Sequence, residues 1–89
     1  MAHRYLEVTY RNGRVLAAYL YLPRHAGDKS VRVERRGPYL VDWTEDGRPM
    51  GIEIPSPSHA SLEGLNEVIA QLRLAPLDAE EISPLLAVA

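Results

Sequence analysis

Hydrophobic and polar positions alternate with a period of two through the first half of the chain and with a period of three to four afterwards. From Tyr5 to Tyr10, the side chains of Leu6, Val8 and Tyr10 fall on one side of an extended backbone and those of Tyr5, Glu7 and Thr9 on the other, the pattern of a half-buried strand. Asn12-Gly13 follows at once. These two residues tolerate the positive φ that a type I′ turn needs at both central positions, so the dipeptide between two apolar-rich runs predicts a hairpin. The second run, Val15 to Leu22, is apolar on both sides, with Val15, Ala17, Tyr19 and Tyr21 on one and Leu16, Ala18, Leu20 and Leu22 on the other. An antiparallel sheet in a small domain ordinarily shows one face to water. A strand apolar on both sides is therefore expected inside the sheet and covered twice, by the chain's own helix and by a partner chain.

After a loop at Pro23 to Lys29, Val31 and Val33 alternate with Arg32, Glu34 and Arg36, which suits a charged edge strand. Gly37-Pro38 turns the chain. Tyr39, Val41 and Trp43 then share one side of a fourth strand with Leu40 and Asp42 opposite, Thr44 to Arg48 forms a turn, and Gly51 to Ile54 returns as a fifth. Pro55 and Pro57 withhold ladder donors and close the β region. Leu62, Leu65, Ile69 and Leu72 recur at helical spacing, which predicts an amphipathic helix capped by Ser61 or entered from Ser56 with Pro57 at its first position. Asp78 to Glu81 is a D-x-x-E capping box with Leu77 and Ile82 placed as a hydrophobic staple, and Pro84 limits that second helix. The expected fold is α+β: an antiparallel sheet of about five strands, a β-hairpin and then a β-meander, followed by one or two C-terminal helices packed on the sheet. Residues 1–89 are expected to form a single domain, with a β-rich core at 1–55 and a helical tail at 56–89.

Composition narrows the function classes. The chain has 89 residues and no Cys, which removes thiol nucleophiles, zinc ribbons and redox pairs. The longest apolar run is far short of a membrane helix. Met1 to Glu7 shows no secretory pattern, so a cytoplasmic location is expected. Charge is unevenly spread. Of the 10 Lys and Arg, all but Arg73 precede Pro49, while six of the 12 acids follow it. Nine of the ten basic residues are Arg, a type suited to carboxylates and phosphates. Arg32, Arg35 and Arg36 form the densest basic cluster, with Arg4, Arg11, Arg14 and Arg24 as further candidates. A net negative chain without a basic helix disfavours nucleic acid as the partner, although the Arg-bearing strands keep an antitoxin-like or regulatory contact with nucleic acid open as one alternative. The same Arg residues can also meet the acidic tail.

Three further constellations bear on chemistry. Asp42, Thr44, Asp46, Gly47 and Glu53 follow the spacing of a calcium-binding loop with Thr at its third position, which makes calcium held by Asp42, Asp46 and Glu53 a second alternative. The flanking strand patterns and Pro49 favour a hairpin instead. His3, His25 and His59 lack metal-ligand spacing, and Ser56, Ser58 and His59 lack a nucleophile elbow. No catalytic residue, metal site or cofactor is therefore expected. Five Tyr and one Trp with no Phe suit sheet faces and subunit interfaces, where a dry ring carries a polar tip. Tyr19, Tyr21, Leu20 and Leu22 are the expected interface residues of a homo-oligomer, with a dimer as the simplest case.

Tyr19-Leu20-Tyr21-Leu22, and after a loop Val41-Asp42-Trp43-Thr44-Glu45-Asp46-Gly47-Arg48-Pro49-Met50-Gly51-Ile52-Glu53-Ile54, resemble a prokaryotic family called domain of unknown function 2283. The resemblance spans roughly residues 5–60. It rests on Tyr21, Asp42, Asp46, Gly47, Gly51, Ile52 and Glu53, with Tyr10 in the place of that family's opening tyrosine. Ala18 stands where the family carries an acid, Asn12-Gly13 replaces its acidic turn, and the tail after Ser61 lies outside the match. The resemblance implies a small β-rich domain without established enzymatic activity, some of whose members look like partners of small toxin-like proteins. It also implies that Gly51 permits close approach or a bulge, that Ile52 is buried, and that Glu53 accepts bonds from Tyr or Arg. The sequence as a whole points to a non-enzymatic protein-interaction module.

Overall fold

A computed structural model describes residues 3–86; residues 87–89 of the expected tail lie outside them. The strands are β1 (Tyr5–Arg11), β2 (Arg14–Tyr21), β3 (Arg32–Arg36), β4 (Tyr39–Trp43) and β5 (Pro49–Ile54). They form one antiparallel sheet in the order β1-β2-β5-β4-β3. Asn12 and Gly13 take φ of 53° and 75°, the conformation the I′ hairpin requires. The meander β3-β4-β5 joins the hairpin through β5 against β2, so β2, β5 and β4 are internal and β1 and β3 are the edges.

Helix α1 (Leu62–Gln71) is capped by Ser61, whose side chain accepts from the Gly64 amide. Ser56 instead opens a 3₁₀ turn at Pro57–His59 without a side-chain cap. The tail's capping box forms in full: Asp78 accepts from the Glu81 amide, and Glu81 accepts from the Asp78 amide. It starts a 3₁₀ turn at Ala79–Ile82 that runs into the short helix α2 (Ser83–Leu86). Leu77 and Ile82, the two ends of the expected staple, are both buried.

The helices lie on one side of the sheet only. Leu20, Leu22, Val41, Ile52 and Ile54 from that side pack with Leu65, Ile69, Leu77, Ile82 and Leu85 in one contiguous core. Leu20 and Leu22 are therefore corrected: 0 % and 1 % exposed, they belong to the chain's own core and offer nothing to an interface. Parity assigns them there, because they share a side with Ala18 and pair across β5 with Ile52 and its neighbours.

A bulge and a strand pairing set faces that alternation alone leaves open. The β1–β2 register shifts between Thr9 and Tyr10, so Tyr10 pairs Val15 and Thr9 pairs Ala17. Leu16 is the extra residue of a bulge, left 50 % exposed, and Val15 turns to pack against the core instead of sharing the side of Ala17 and Tyr19. On β3 the alternation runs with charges toward the helices. Arg32, Glu34 and Arg36 pair with Trp43, Val41 and Tyr39, while Val33 faces the opposite side beside Asp42.

Long-range ion pairs tie the basic and acidic parts together. Arg4 donates to both Glu81 carboxylate oxygens and to the Ala75 and Pro76 carbonyls, and its guanidinium holds the Glu81 carboxyl below the usual carboxylate range. Arg48 makes a bidentate pair with Asp28 at 2.6 and 3.0 Å, joining the β2–β3 loop to the β4–β5 hairpin. That contact lowers Asp28 to about 2. A carboxyl whose folded pKa is depressed stabilises the fold above its unfolded value and loses that contribution as pH falls toward the folded one. The difference in melting temperature between wild type and Asp28→Asn is expected to be full near neutral pH and to close between about pH 4 and pH 2; a gap independent of pH across this range contradicts the clasp.

Candidate functional site

The side of the sheet away from the helices carries Tyr5, Glu7 and Thr9 from β1, Ala17, Tyr19 and Tyr21 from β2, Gly51 and Glu53 from β5, Leu40 and Asp42 from β4, and Val33 and Arg35 from β3. Strand alternation alone places them together. Among the described residues no helix covers them. Three tyrosines build a stack across this face. Tyr5 and Tyr21 are cross-strand partners with ring centroids 4.7 Å apart and an interplanar angle of 18°. Tyr21 and Tyr19 stack at 4.7 Å and 10°. The Arg24 guanidinium lies 5.4 Å from the Tyr21 ring centre, within cation–π range.

Tyr19 leans over β5 because Gly51 leaves room for it. A Cβ at position 51 falls inside the van der Waals envelope of the ring atoms Cε1 and Cζ and of the hydroxyl. The leaning ring brings its hydroxyl to Asp42, to which it donates at 2.5 Å. Burial, and then this hydrogen bond to a carboxylate, push the Tyr19 phenol well above its ordinary value, so it stays protonated at neutral pH. Tyr21 is raised too, by burial and the neighbouring Glu7. Their hydroxyls donate to Asp42 and to Glu7.

The seven residues that carry the family resemblance do not form one cluster. Tyr21, Asp42, Gly51 and Glu53 share the open face, Ile52 is wholly buried on the helix side, and Asp46 and Gly47 sit in the β4–β5 turn. Gly47 has φ 83°, which the turn needs. Gly51 does serve close approach, but its neighbour is the Tyr19 ring. The tyrosine hydroxyl expected at Glu53 goes to Asp42, because Asp42 pairs with Gly51, over which the ring passes.

Asp42, Asp46 and Glu53 do not converge. Asp46 accepts from the Thr44 hydroxyl and from Arg48, Asp42 is engaged by Tyr19, and Glu53 is exposed opposite Leu40. A hairpin separates residues that a calcium loop gathers around one point. Among the described residues no group of three His, Asp or Glu side chains is placed to hold a metal ion. His3 and His25 are exposed before β1 and in the β2–β3 loop, far along the chain from Ser56, Ser58 and His59, which are exposed together on the 3₁₀ turn after β5.

The arginine cluster is divided by the sheet. Arg32 and Arg36 flank Trp43, with guanidinium carbons 4.9 and 5.8 Å from its ring centre. Glu34 pairs with both of them, and Arg36 also donates to Gln71 of α1. Arg35 projects to the open face. Instead of a continuous basic surface, the cluster is split between the two sides of β3, with Glu34 shared by Arg32 and Arg36. The stack of Tyr5 on Tyr21 and the passage of Tyr19 over Gly51 were the features that local pattern did not reveal. The i, i+2 spacing of Tyr19 and Tyr21 opposite a strand glycine was the available signal.

No helix among the described residues is long and apolar enough to cross a membrane. No protein-family model, curated protein or solved structure matches the chain.

Proposed function

We propose that this chain is a cytosolic, non-enzymatic protein-interaction module that works as a homo-oligomer, with copies meeting through the open face of the sheet. The observation that carries this reading is the one-sided layer structure: five internal and edge strands are covered by helices on one face, while the other exposes a tyrosine stack with Leu40, Ala17 and Val33 around it. Val33 is 56 % and Tyr5 46 % exposed. Exposed rings and aliphatic side chains on an uncovered sheet face support its reading as an interaction surface.

The face suits a second copy because its charges are mixed and can answer one another across a two-fold axis. Glu7, Glu53 and Asp42 lie among Arg35 and Arg24, and an isologous contact sets each group opposite a different one. Five strands spaced about 4.8 Å apart and about six residues long cover roughly 500 Å² per copy, so two copies bury about 1,000 Å². That is the lower bound of specific interfaces, the size class of weak or transient contacts. The resemblance to domain of unknown function 2283 supports a binding role and adds a small protein partner as a further occupant to test.

Sedimentation of wild type and of Tyr21→Glu tests the reading. A carboxylate in the middle of the stack is expected to halve the weight-average mass at high protein concentration while circular dichroism stays unchanged. Equal masses for the two proteins refute association through this face.

A further inference from the structure

β1 leaves its outer edge open. Every second residue of an edge strand turns both its N–H and its C=O away from the sheet. Among the described residues no backbone or side-chain hydrogen bond reaches the main chain of Tyr5–Arg11 from outside the sheet. The other edge is guarded. β3 contains three Arg and one Glu in five residues and is followed by Gly37-Pro38, the devices that keep an edge from pairing. β1 has one internal charge, Glu7, and otherwise strong strand formers.

Beside β1 on the helix side is a cavity of about 360 Å³, with Leu6, Leu20 and Pro84 in its walls and Arg4, Glu80 and Glu81 around it. It is large enough for one aromatic side chain. On the same strand and the same side, Tyr10 is the most exposed aromatic side chain, at 58 %. Among the described residues, one edge thus carries both an exposed ring and a cleft of mixed apolar and charged lining large enough to receive one, the two halves of a self-complementary contact.

We propose that β1 pairs antiparallel with β1 of a second copy, in the register centred on Val8, so that each Tyr10 enters the cavity beside the partner copy's Leu6. In this register all seven residues pair. Val8 meets Val8, Leu6 meets Tyr10, Glu7 meets Thr9 and Tyr5 meets Arg11. The register centred on Glu7 sets two carboxylates opposite each other, which is destabilising, and carries Tyr10 past the end of the paired segment. The Val8 register also brings Arg11 over Tyr5, extending onto the second copy the cation–π arrangement that Arg24 makes with Tyr21. Main-chain bonds supply the affinity of strand addition and the side-chain cavity supplies its register. The result is a continuous ten-stranded sheet whose open faces lie side by side, an interface separate from the open face itself.

The chain has no Cys, so one introduced thiol reports the contact cleanly. Val8→Cys lies on the two-fold axis of the proposed pairing and on the helix side, out of reach of a face-to-face contact. Under mild oxidation it is expected to form a covalent dimer both alone and combined with Tyr21→Glu. Val33→Cys on the guarded edge, combined with Tyr21→Glu to remove any contact through the open face, is expected to form no covalent dimer under the same conditions. Adding Tyr10→Ala to Val8→Cys is expected to lower the covalent dimer yield about tenfold, since both anchoring rings of the dimer are lost. Circular dichroism of each variant establishes that it is folded. In the Tyr21→Glu background, cross-linking of Val8→Cys no greater than that of Val33→Cys overturns the edge pairing, and cross-linking indifferent to Tyr10→Ala overturns the register. Efficient Val8→Cys cross-linking together with equal masses for wild type and Tyr21→Glu upholds the edge and refutes the open face as the meeting surface.

Discussion

Replacing Ile52 by Ala is expected to destabilise the fold by about 3 to 4 kcal/mol. Ile52 is 0 % exposed and stands in the middle of the sheet, paired with Leu20 on one side and Val41 on the other. Its side chain joins both strands to the helices in the single core. Little around it can collapse into the space left behind, since its cross-strand neighbours are held by ladder hydrogen bonds and are themselves fully buried. The cost is large against the total. At roughly 0.05 to 0.15 kcal/mol per residue, a chain of 89 residues has about 4 to 13 kcal/mol of stability. Urea denaturation is expected to show a much lower midpoint with an unchanged slope. A loss below about 1 kcal/mol contradicts the central position assigned to Ile52.

Gly51→Val is expected to be the more informative change next door, at a cost of about 2 kcal/mol. Gly51 is buried but has no positive φ, so its backbone tolerates any L residue, and a β-branched side chain ordinarily strengthens a strand interior. The cost comes from outside β5. A side chain at 51 expels the Tyr19 ring, breaking its hydrogen bond to Asp42 and its stack on Tyr21. Bonds to charged acceptors contribute about 1.5 to 3 kcal/mol and aromatic pairs about 0.5 to 1.5 kcal/mol, offset by the gain in strand propensity. The sign is expected to reverse in a Tyr19→Ala background, where nothing occupies the space over position 51 and Val brings only its propensity. A double-mutant cycle by denaturation measures the coupling directly. Additive effects contradict the ring-over-glycine arrangement.

Local chemistry made much of the fold legible. Asn12-Gly13 specifies a turn type, Ser61 and Asp78 specify helix starts, and the alternation from Tyr39 to Trp43 specifies a strand, because each signal depends on atoms a few residues apart. What stayed hidden depends on distant neighbours. The bulge at Leu16 reflects how β1 and β2 settle against the core, not the composition of either strand. Arg4 finds Glu81 across 77 residues, and no pattern along the chain selects that acid among the twelve. The alternation of β3 was visible, but the side on which its charges lie follows from its pairing with β4. The candidate site was legible in the same partial way. Tyr19 and Tyr21 were visible as a surface pair, whereas the dependence of Tyr19 on Gly51 needed the β2–β5 register, and Leu20 and Leu22 were assigned to the wrong surface because both sides of β2 are apolar.

The claim that copies meet through the open face is tested most directly by a dilution series of amide correlation spectra of the wild-type chain, from millimolar to micromolar concentration. Leu40, Glu53 and Val33 face that surface and lie on β3, β4 and β5, away from the β1 edge. Their signals are expected to shift progressively on dilution, while those of Gly64 and Glu67 on α1 stay fixed. Signals for Leu40, Glu53 and Val33 that do not move over the whole range contradict the open face as the meeting surface.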